Sequence, residues 1–263
     1  MDYAQLVHSP SLSFLAFQFA NAAMAGGASV ALGALFLAHL KGNEALCYSA
    51  GLSLAICTVA YINYSSMLKT RLRTIKACER NSPGKKCEAM KHEDDFVITC
   101  LRYSDWLVTM PLLALKLLDL ARDGPNPLVS SFLMWKQLEA FTAALAFVMI
   151  LAGLIALLAI GDFDSCRHDT RSLMTLRWML YLVGVICLVG LYVILFLTSN
   201  ETDSPHWVEV YGFSLVWTLY PLVFIAQMYG LCGMTKDIFY AILDVISKPL
   251  LSIYVAKAAL LLK

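Results

Sequence analysis

The residues best suited to chemistry are Lys248, Asp244 and Asp105, which lie within otherwise apolar stretches. Asp244 and Lys248 are four residues apart, so on a helix they share one face. Pro249 follows Lys248 and, lacking an N–H, leaves the carbonyl of Val245 without its usual helical donor. Burial of a lysine favours its neutral amine, the nucleophile that forms a Schiff base with an aldehyde. The pattern predicts an aldehyde-carrying lysine with two carboxylate counterions, although a simple buried ion pair would also explain Asp244 and Lys248.

A second group of polar residues falls on one face of the third apolar stretch. At about 100° per residue, these residues lie within roughly 100° of one another. They are Arg102, Asp105, Thr109, Lys116 and Asp119. Ionisable side chains at membrane depth are costly unless they face the interior of a bundle, so the stripe indicates a functional site. At about 1.5 Å per residue, Asp105 and Lys116 are roughly 16 Å apart along the axis. Alternatively, Lys116 extends from the helix end to the membrane interface.

These residues must be positioned by membrane-spanning helices. Of 263 residues, 59% are hydrophobic and 15% are charged, with a mean hydropathy of +0.68, which is typical of a protein in lipid. A span needs roughly 20 apolar residues. Seven such stretches are present: residues 11–39, 46–68, 97–121, 129–160, 175–198, 206–230 and 237–262. We therefore predict an all-α bundle of seven transmembrane helices in one domain, residues 1–263, without room for a soluble catalytic or nucleic-acid-binding module.

The basic residues and the cysteines indicate opposite orientations of the chain in the membrane. Eight of the 20 Lys and Arg lie in the polar connection at residues 69–91. On the same face lie Arg167, Arg171, Arg177 and Lys236. The positive-inside rule would place that face, and the N-terminus with it, in the cytoplasm. Four of the eight cysteines also lie there: Cys78, Cys87, Cys166 and Cys232. An oxidising compartment would allow disulfides among them, most plausibly Cys78 with Cys87, although reduced thiols are equally ordinary.

Aromatic and apolar residues near these groups indicate a pocket. On the sixth stretch, four residues lie at helical spacing and so share one side of the helix: Trp217, Tyr220, Pro221 and Phe224. On the third, Trp106, Met110 and Leu113 lie close to Asp105. In lipid, an aromatic stripe is more often packing than pocket. Here, an elongated polyene would fit between apolar walls with its polar end at Lys248.

Three segments together resemble the microbial (type 1) rhodopsins, and the resemblance covers all seven helices. These are RYSDWLVTMPLL in the third helix, WTLYP in the sixth and DVISK in the seventh. The resemblance implies that all-trans retinal is bound covalently to Lys248 as a protonated Schiff base. It implies that Asp105 is the primary counterion and proton acceptor, and Asp244 the second counterion. By the same resemblance, Arg102 is a gate-like arginine and Thr109 a hydroxyl below the chromophore. Leucine at position 113 implies green absorption.

The sequence departs from these relatives at two points. Where the pumps place a carboxylic proton donor there is Lys116, as in a few members of the family, which implies reprotonation through an amine. Where proteorhodopsins pair the acceptor with a histidine on helix two, the segment AYINYSS places Asn63. The glutamates that release protons in bacteriorhodopsin have no evident match, so we expect late release. Family members usually have the N-terminus outside, against the charge count.

The best-supported function is therefore a light-driven proton pump, most consistent with outward transport. We expect a non-enzymatic, multi-pass protein of the plasma membrane, with the lipid bilayer and protons as partners, no nucleic acid and no metal, and a homotrimer or homopentamer as the assembly. One alternative is a light-gated ion channel lined by Asn63, Ser65 and Ser66, although such residues are as easily packing contacts. Others are a sensory photoreceptor and, outside this class, a structural or receptor-like seven-helix protein.

Overall fold

The computed structural model describes residues 10–80, 85–121, 132–158, 171–200, 207–229 and 233–261. Within these ranges the chain is helical and contains no strand. The helices are α1 (Pro10–Leu40), α2 (Glu44–Arg80), α3 (Lys85–Ala121), α4 (Phe132–Leu158), α5 (Arg171–Asn200), α6 (Trp207–Met228), α7 (Gly233–Ser247) and α8 (Pro249–Leu261). Helices α7 and α8 are the two parts of one span. The predicted all-α, seven-helix bundle is therefore confirmed.

The sequence analysis predicted a long polar connection between the second and third spans, and this prediction is wrong. Helix α2 continues to Arg80 and α3 already begins at Lys85, so most of that segment is helical. Lys, Arg and Glu are good helix formers, and water can solvate their charges beyond the bilayer. Each helix has 37 residues, far more than the roughly 20 that a span needs. The two helices therefore form a helical hairpin, residues 69–80 and 85–96, that extends beyond the length needed to span the membrane.

A disulfide joins the two helices of this hairpin. It links Cys78 to Cys87 with a Cα–Cα distance of 5.4 Å, which confirms the pairing suggested by the sequence. The other two cysteines predicted on this face, Cys166 and Cys232, lie outside the described residues. The disulfide closes the extramembrane end of the α2–α3 pair covalently.

The helices that carry the candidate chemistry are the least apolar spans. Within the described residues, five helices are long and apolar enough to cross a membrane by length and composition alone: α1, α2, α4, α5 and α6. Helix α3 is not among them because its buried Arg102, Asp105 and Lys116 lower its hydropathy. The seventh span is divided at Lys248 into helices of 15 and 13 residues. The seventh span is therefore left out by the length of its two parts, and the third by its buried charges.

The interruption at Lys248 agrees with the prediction from Pro249. Lys248 N–H still donates to the Asp244 carbonyl at 3.0 Å, and Ser252 N–H donates to the Lys248 carbonyl at 3.4 Å. Between them, Pro249 has no N–H to give to Val245. The backbone is thus loosened at the residue whose side chain is the candidate nucleophile.

Two hydrophobic clusters enclose the centre of the bundle. The larger lies among α3, α4, α5, α6 and α7 and includes Trp106, Leu113 and Trp217. The smaller, which includes Phe17 and Tyr64, joins α1, α2, α3 and α7. The buried polar groups lie between these clusters, where the apolar packing keeps them apart from lipid.

Candidate functional site

Lys248 lies between two carboxylates at the centre of the bundle. Its Nζ is 2.5 Å from Asp105 Oδ2 and 3.3 Å from Asp244 Oδ1. The three side chains are fully buried. Helix α3 contributes Asp105, and the end of α7 contributes Asp244 one turn before Lys248. The structure therefore brings together the three residues that the sequence singled out first.

Three neutral donors hold Asp244 in place. Tyr64 OH donates to Oδ2 at 2.8 Å, Tyr220 OH donates to Oδ1 at 2.7 Å, and Trp106 Nε1 donates to Oδ1 at 3.1 Å. Hydrogen bonds to a carboxylate stabilise its ionised form and fix its orientation. These hydrogen bonds hold the Asp244 carboxylate in one orientation beside Lys248.

The residue of α2 that reaches this centre is Tyr64. The sequence analysis placed Asn63 where proteorhodopsins have a histidine and gave no role to Tyr64, which follows it. Asn63 Nδ2 donates instead to the Val59 carbonyl at 3.0 Å on its own helix. One residue corresponds to about 100° of rotation about the helix axis, so adjacent positions face different neighbours. The AYINYSS segment carried the signal, but its rotation could not be read from the sequence.

Arg102 pairs with a carboxylate other than Asp105. Its Nη2 donates to Asp237 Oδ1 at 2.8 Å. Arg71 Nη2 donates to the other oxygen of Asp237 at 2.9 Å and to Asp95 Oδ1 at 2.8 Å. Because Asp105 already contacts the Lys248 ammonium, the arginine pairs with a different carboxylate. The result is a buried cluster of charges that joins α2, α3 and α7.

Sequence reasoning missed both Asp237 and Arg71. Asp237 lies seven residues before Asp244, two turns away on the same helix face, and this spacing could have revealed it. Arg71 had been assigned to a polar connection and gave no comparable signal. Burial of both side chains, at 1% exposure each, shows that they belong to the interior.

Lys116 is buried inside the bundle. The alternative that its side chain extends to the membrane interface is therefore wrong. Its Nζ donates to the Ser49 carbonyl at 2.6 Å, to Ser49 Oγ at 3.1 Å and to Ser53 Oγ. None of these three acceptors is ionised. The two other predicted members of the α3 stripe differ in burial, since Thr109 is fully buried and Asp119 is half-buried.

An apolar cavity lies between α3, α4, α5, α6 and α7. Five of the predicted pocket residues line it: Trp106, Met110, Trp217, Tyr220 and Phe224. Leu113 is buried in the surrounding cluster and is not part of the lining. The lining also includes residues that the sequence had not suggested: Tyr103, Met149, Ile150, Tyr181, Leu188 and Tyr240. The predicted pocket is thus largely recovered, and α4 and α5 complete its walls.

The cavity adjoins the Lys248 site through two of its lining residues, although Lys248 itself is not part of the lining. Trp106 and Tyr220 belong to its wall and also donate to Asp244, which contacts Lys248 Nζ. On the α4 side, a Cβ at Gly153 would lie 3.2 Å from the Tyr103 ring, so glycine keeps this wall open. Amine, paired carboxylates and apolar walls together suit an aldehyde-derived polyene and the exchange of a proton at Lys248 Nζ.

Comparisons with solved structures identify the fold. Xanthorhodopsin, a light-driven ion pump with dual chromophore, has a TM-score of 0.70 at 19% identity, over 95% of this chain and 92% of that one. The proton-pumping rhodopsin AR2 from the marine alga Acetabularia acetabulum has 0.63 at 19% identity, over 94% of each chain. Exiguobacterium sibiricum rhodopsin has 0.62 at 18% identity, over 94% of this chain and 96% of that one. These likenesses establish the shared fold.

The family follows from the sequence match. No curated protein sequence matches the chain. The family model described as bacteriorhodopsin-like protein matches residues 17–262, which covers all eight helices in whole or in large part. This family implies a retinal chromophore bound to a lysine, which agrees with the amine, carboxylates and apolar cavity around Lys248. The chain therefore belongs to the bacteriorhodopsin-like family and is an integral, multi-pass membrane protein.

Proposed function

We propose that this protein is a light-driven pump that moves protons outward across the plasma membrane. The observation that carries the proposal is the order of groups along α3. Asp105 lies 2.5 Å from Lys248 Nζ, and the buried Lys116 lies roughly 16 Å further along the same helix. Proton-exchanging groups on both sides of Lys248 allow a proton to leave on one side and be replaced from the other.

Lys248 is the residue proposed to hold retinal, with Trp106, Met110, Trp217, Tyr220 and Phe224 along the apolar walls. When bound there, retinal supplies the absorption of visible light and an isomerisation that changes the position of the Lys248 Nζ proton. The side chains of the protein carry out the proton transfers that follow.

In the first step, the proton on Lys248 Nζ moves to Asp105 Oδ2. An N–H bond breaks and an O–H bond forms across the 2.5 Å contact. Asp244 lies further from Lys248 Nζ, at 3.3 Å, and its oxygens already accept hydrogen bonds from three neutral donors. The two carboxylates thus have separate tasks, since Asp105 accepts the proton and Asp244 remains a fixed counterion.

In the second step, Lys116 returns a proton to Lys248 Nζ. Its N–H bond breaks, the amine becomes neutral, and it later takes up a proton from its own side of the membrane. Ser49 and Ser53 hold the Lys116 side chain inside the bundle. Arg102 and Thr109 are proposed to act near the acceptor, Arg102 through its pairing with Asp237.

The disulfide supports outward transport. Disulfides persist mainly in oxidising, extracytoplasmic environments, so the Cys78–Cys87 end of the hairpin is assigned to the outside. Arg102 precedes Asp105 on α3 and lies toward this end, whereas Lys116 lies toward the other. This orientation puts Lys116 on the cytoplasmic side. It opposes the charge count and agrees with the topology implied by the family resemblance.

The contacts of the residues suggested for a channel favour the packing alternative. Ser65 Oγ donates to Asn21 Oδ1 at 2.9 Å, which joins α1 to α2. Ser66 Oγ donates to the Ile62 carbonyl of its own helix at 3.0 Å and is exposed. Asn63 likewise bonds within α2. These side chains are occupied by local contacts and do not converge on Lys248.

Light-induced pH change in an unbuffered suspension of retinal-supplied cells tests the proposal. We expect acidification that a protonophore abolishes, and no change in cells expressing Lys248→Arg, which keeps a cation but cannot form the imine. Alkalinisation abolished by the protonophore would mean inward flow. Absence of any pH change with a normal pigment would favour a photosensor. A photocurrent that reverses with voltage would establish a channel.

A homotrimer or homopentamer remains the proposed assembly.

A further inference from the structure

One face of α2 carries a row of buried side chains that runs from Lys116 to Asp244. Its members are Ser49, Ser53, Cys57 and Tyr64, whose spacing of four, four and seven residues keeps them on one side of the helix. Ser53 accepts a hydrogen bond from Lys116 at one end, and Tyr64 donates to Asp244 at the other. The face thus connects the surroundings of the two buried lysines.

Cys57 lies at the middle of this row and contacts the seventh span. Its Sγ is 3.3 Å from Ser252 Oγ, and either group can be the donor. Both side chains are fully buried. Ser252 is one turn beyond Lys248, whose carbonyl accepts its N–H at 3.4 Å. A thiol and a hydroxyl each donate and accept, so the pair can receive a proton on one side and give one on the other.

The surroundings of this pair are closely packed. A Cβ at Gly27 on α1 would lie 2.9 Å from Cys57 Sγ and 3.1 Å from Pro249 Cα. Only glycine therefore allows α1, α2 and the start of α8 to meet here. This packing holds Cys57 and Ser252 against each other beside the backbone interruption at Lys248.

We propose that reprotonation of Lys248 follows this face of α2, with the Cys57–Ser252 pair as its midpoint. This inference rests on the proposed function, since it concerns the return of a proton from Lys116. An N–H bond of Lys116 breaks and an N–H bond of Lys248 forms. Between them, each hydroxyl or thiol on the path gains one proton and gives up another, so its protonation is unchanged. No oxidant or reductant is involved.

The experiment compares Cys57→Ala, Ser252→Ala and Cys57→Ser with the parent protein. Cys187→Ala is the matched control, because it removes another buried thiol, on α5, away from this face. In retinal-free membranes, the infrared S–H stretching band of Cys57, identified by its loss in Cys57→Ala, reports its hydrogen bond. We expect Ser252→Ala to shift this band. Cys187→Ala should leave it unchanged.

Flash photolysis of the pigments gives the second readout. We expect Cys57→Ala to slow reprotonation of Lys248 about tenfold, the factor that one hydrogen bond of ordinary strength is worth. Its rate should also depend more steeply on bulk pH than the parent rate does, since protons then come directly from solvent. Cys57→Ser should restore the parent rate to within about threefold. A purely structural role would not change the pH dependence.

The outcomes separate this path from the proposed function. If the parent acidifies the medium while Cys57→Ala and Ser252→Ala keep the parent rate and its pH profile, the path is wrong and the pump stands. An S–H band unaffected by Ser252→Ala would also overturn it. If the parent forms no pigment or moves no protons, the proposed function fails first and the path with it.

Discussion

The two ends of α3 surround their buried cations in different ways. Toward the hairpin, carboxylates contact the cations, since Lys248 pairs with Asp105 and Arg102 pairs with Asp237. Toward the other end, Lys116 donates to a carbonyl and two hydroxyls. Removing an ammonium from water is costly, and a contacting carboxylate repays more of that cost than neutral dipoles do. A buried lysine therefore contacts carboxylates at one end and donates its hydrogen bonds to neutral acceptors at the other.

This difference separates two tasks. At Lys248, two carboxylates stabilise a cation and one of them accepts its proton at short range. At Lys116, neutral acceptors stabilise the charged and the neutral side chain more equally, because a neutral amine can still bond to serine hydroxyls. A group that must give up a proton and regain it benefits from such surroundings. The predictions below test this division.

The largest effect is expected for Lys248→Ala, which should abolish visible absorption completely. The variant lacks the amine that forms the imine, so all-trans retinal cannot be attached. Absorption spectra of purified protein after addition of retinal measure this. Lys116→Ala is the matched control and should retain the pigment. A red-shifted pigment in Lys248→Ala would disprove attachment at this residue.

Lys116→Ala should slow reprotonation of Lys248 by about a hundredfold or more at neutral pH, the range in which positioned proton donors contribute. The pigment and the first proton transfer should be retained, because Asp105 is unaffected. Time-resolved absorption after a flash measures both steps. An unchanged recovery rate would show that Lys116 is buried for structural reasons alone.

Asp237→Asn should leave the pigment in place and lower stability. It leaves Arg71 and Arg102 without their shared carboxylate, and breaking a buried ion pair typically costs about 3–5 kcal/mol. Loss of visible absorption during detergent-induced unfolding measures this. Lys136→Ala is the control, since its pair with Glu139 has a lysine that is 57% exposed and should contribute less than about 1 kcal/mol. Equal stability of the two variants would mean that the buried cluster contributes little.

The sequence predicted those parts of the molecule that depend on local spacing. The seven spans, the interruption at Pro249 and the shared face of Asp244 and Lys248 all follow from periodicity and from the chemistry of proline. Across helices it predicted the meeting of Asp105 with Lys248 but not the contacts of Tyr64 and Arg102. The contact of Tyr64 with Asp244 was missed because side chains turn by about 100° per residue, and the sequence alone does not give the rotation of α2.

The pairing of Arg102 was missed for a related reason. Asp105 and Arg102 are neighbours on one helix, whereas Asp237 and Arg71 come from two others and meet Arg102 only after the bundle has packed. Their partners depend on the rotation and relative shift of α2, α3 and α7, which the sequence does not specify directly. The extramembrane part of α2 was interpreted as a loop for a different reason. Its many charged residues resembled a polar connection, although Lys, Arg and Glu are good helix formers.

The hairpin of α2 and α3 also gives the protein a mechanical property. Its outer end is closed by the Cys78–Cys87 disulfide, and one helical stretch of α2 leads from there to Arg71, which bridges Asp95 and Asp237. A force applied to the hairpin outside the membrane therefore acts on the partner of Arg102. The hairpin is therefore connected to Arg102, on the acceptor side of the site, through Arg71 and Asp237 and not through the chromophore cavity.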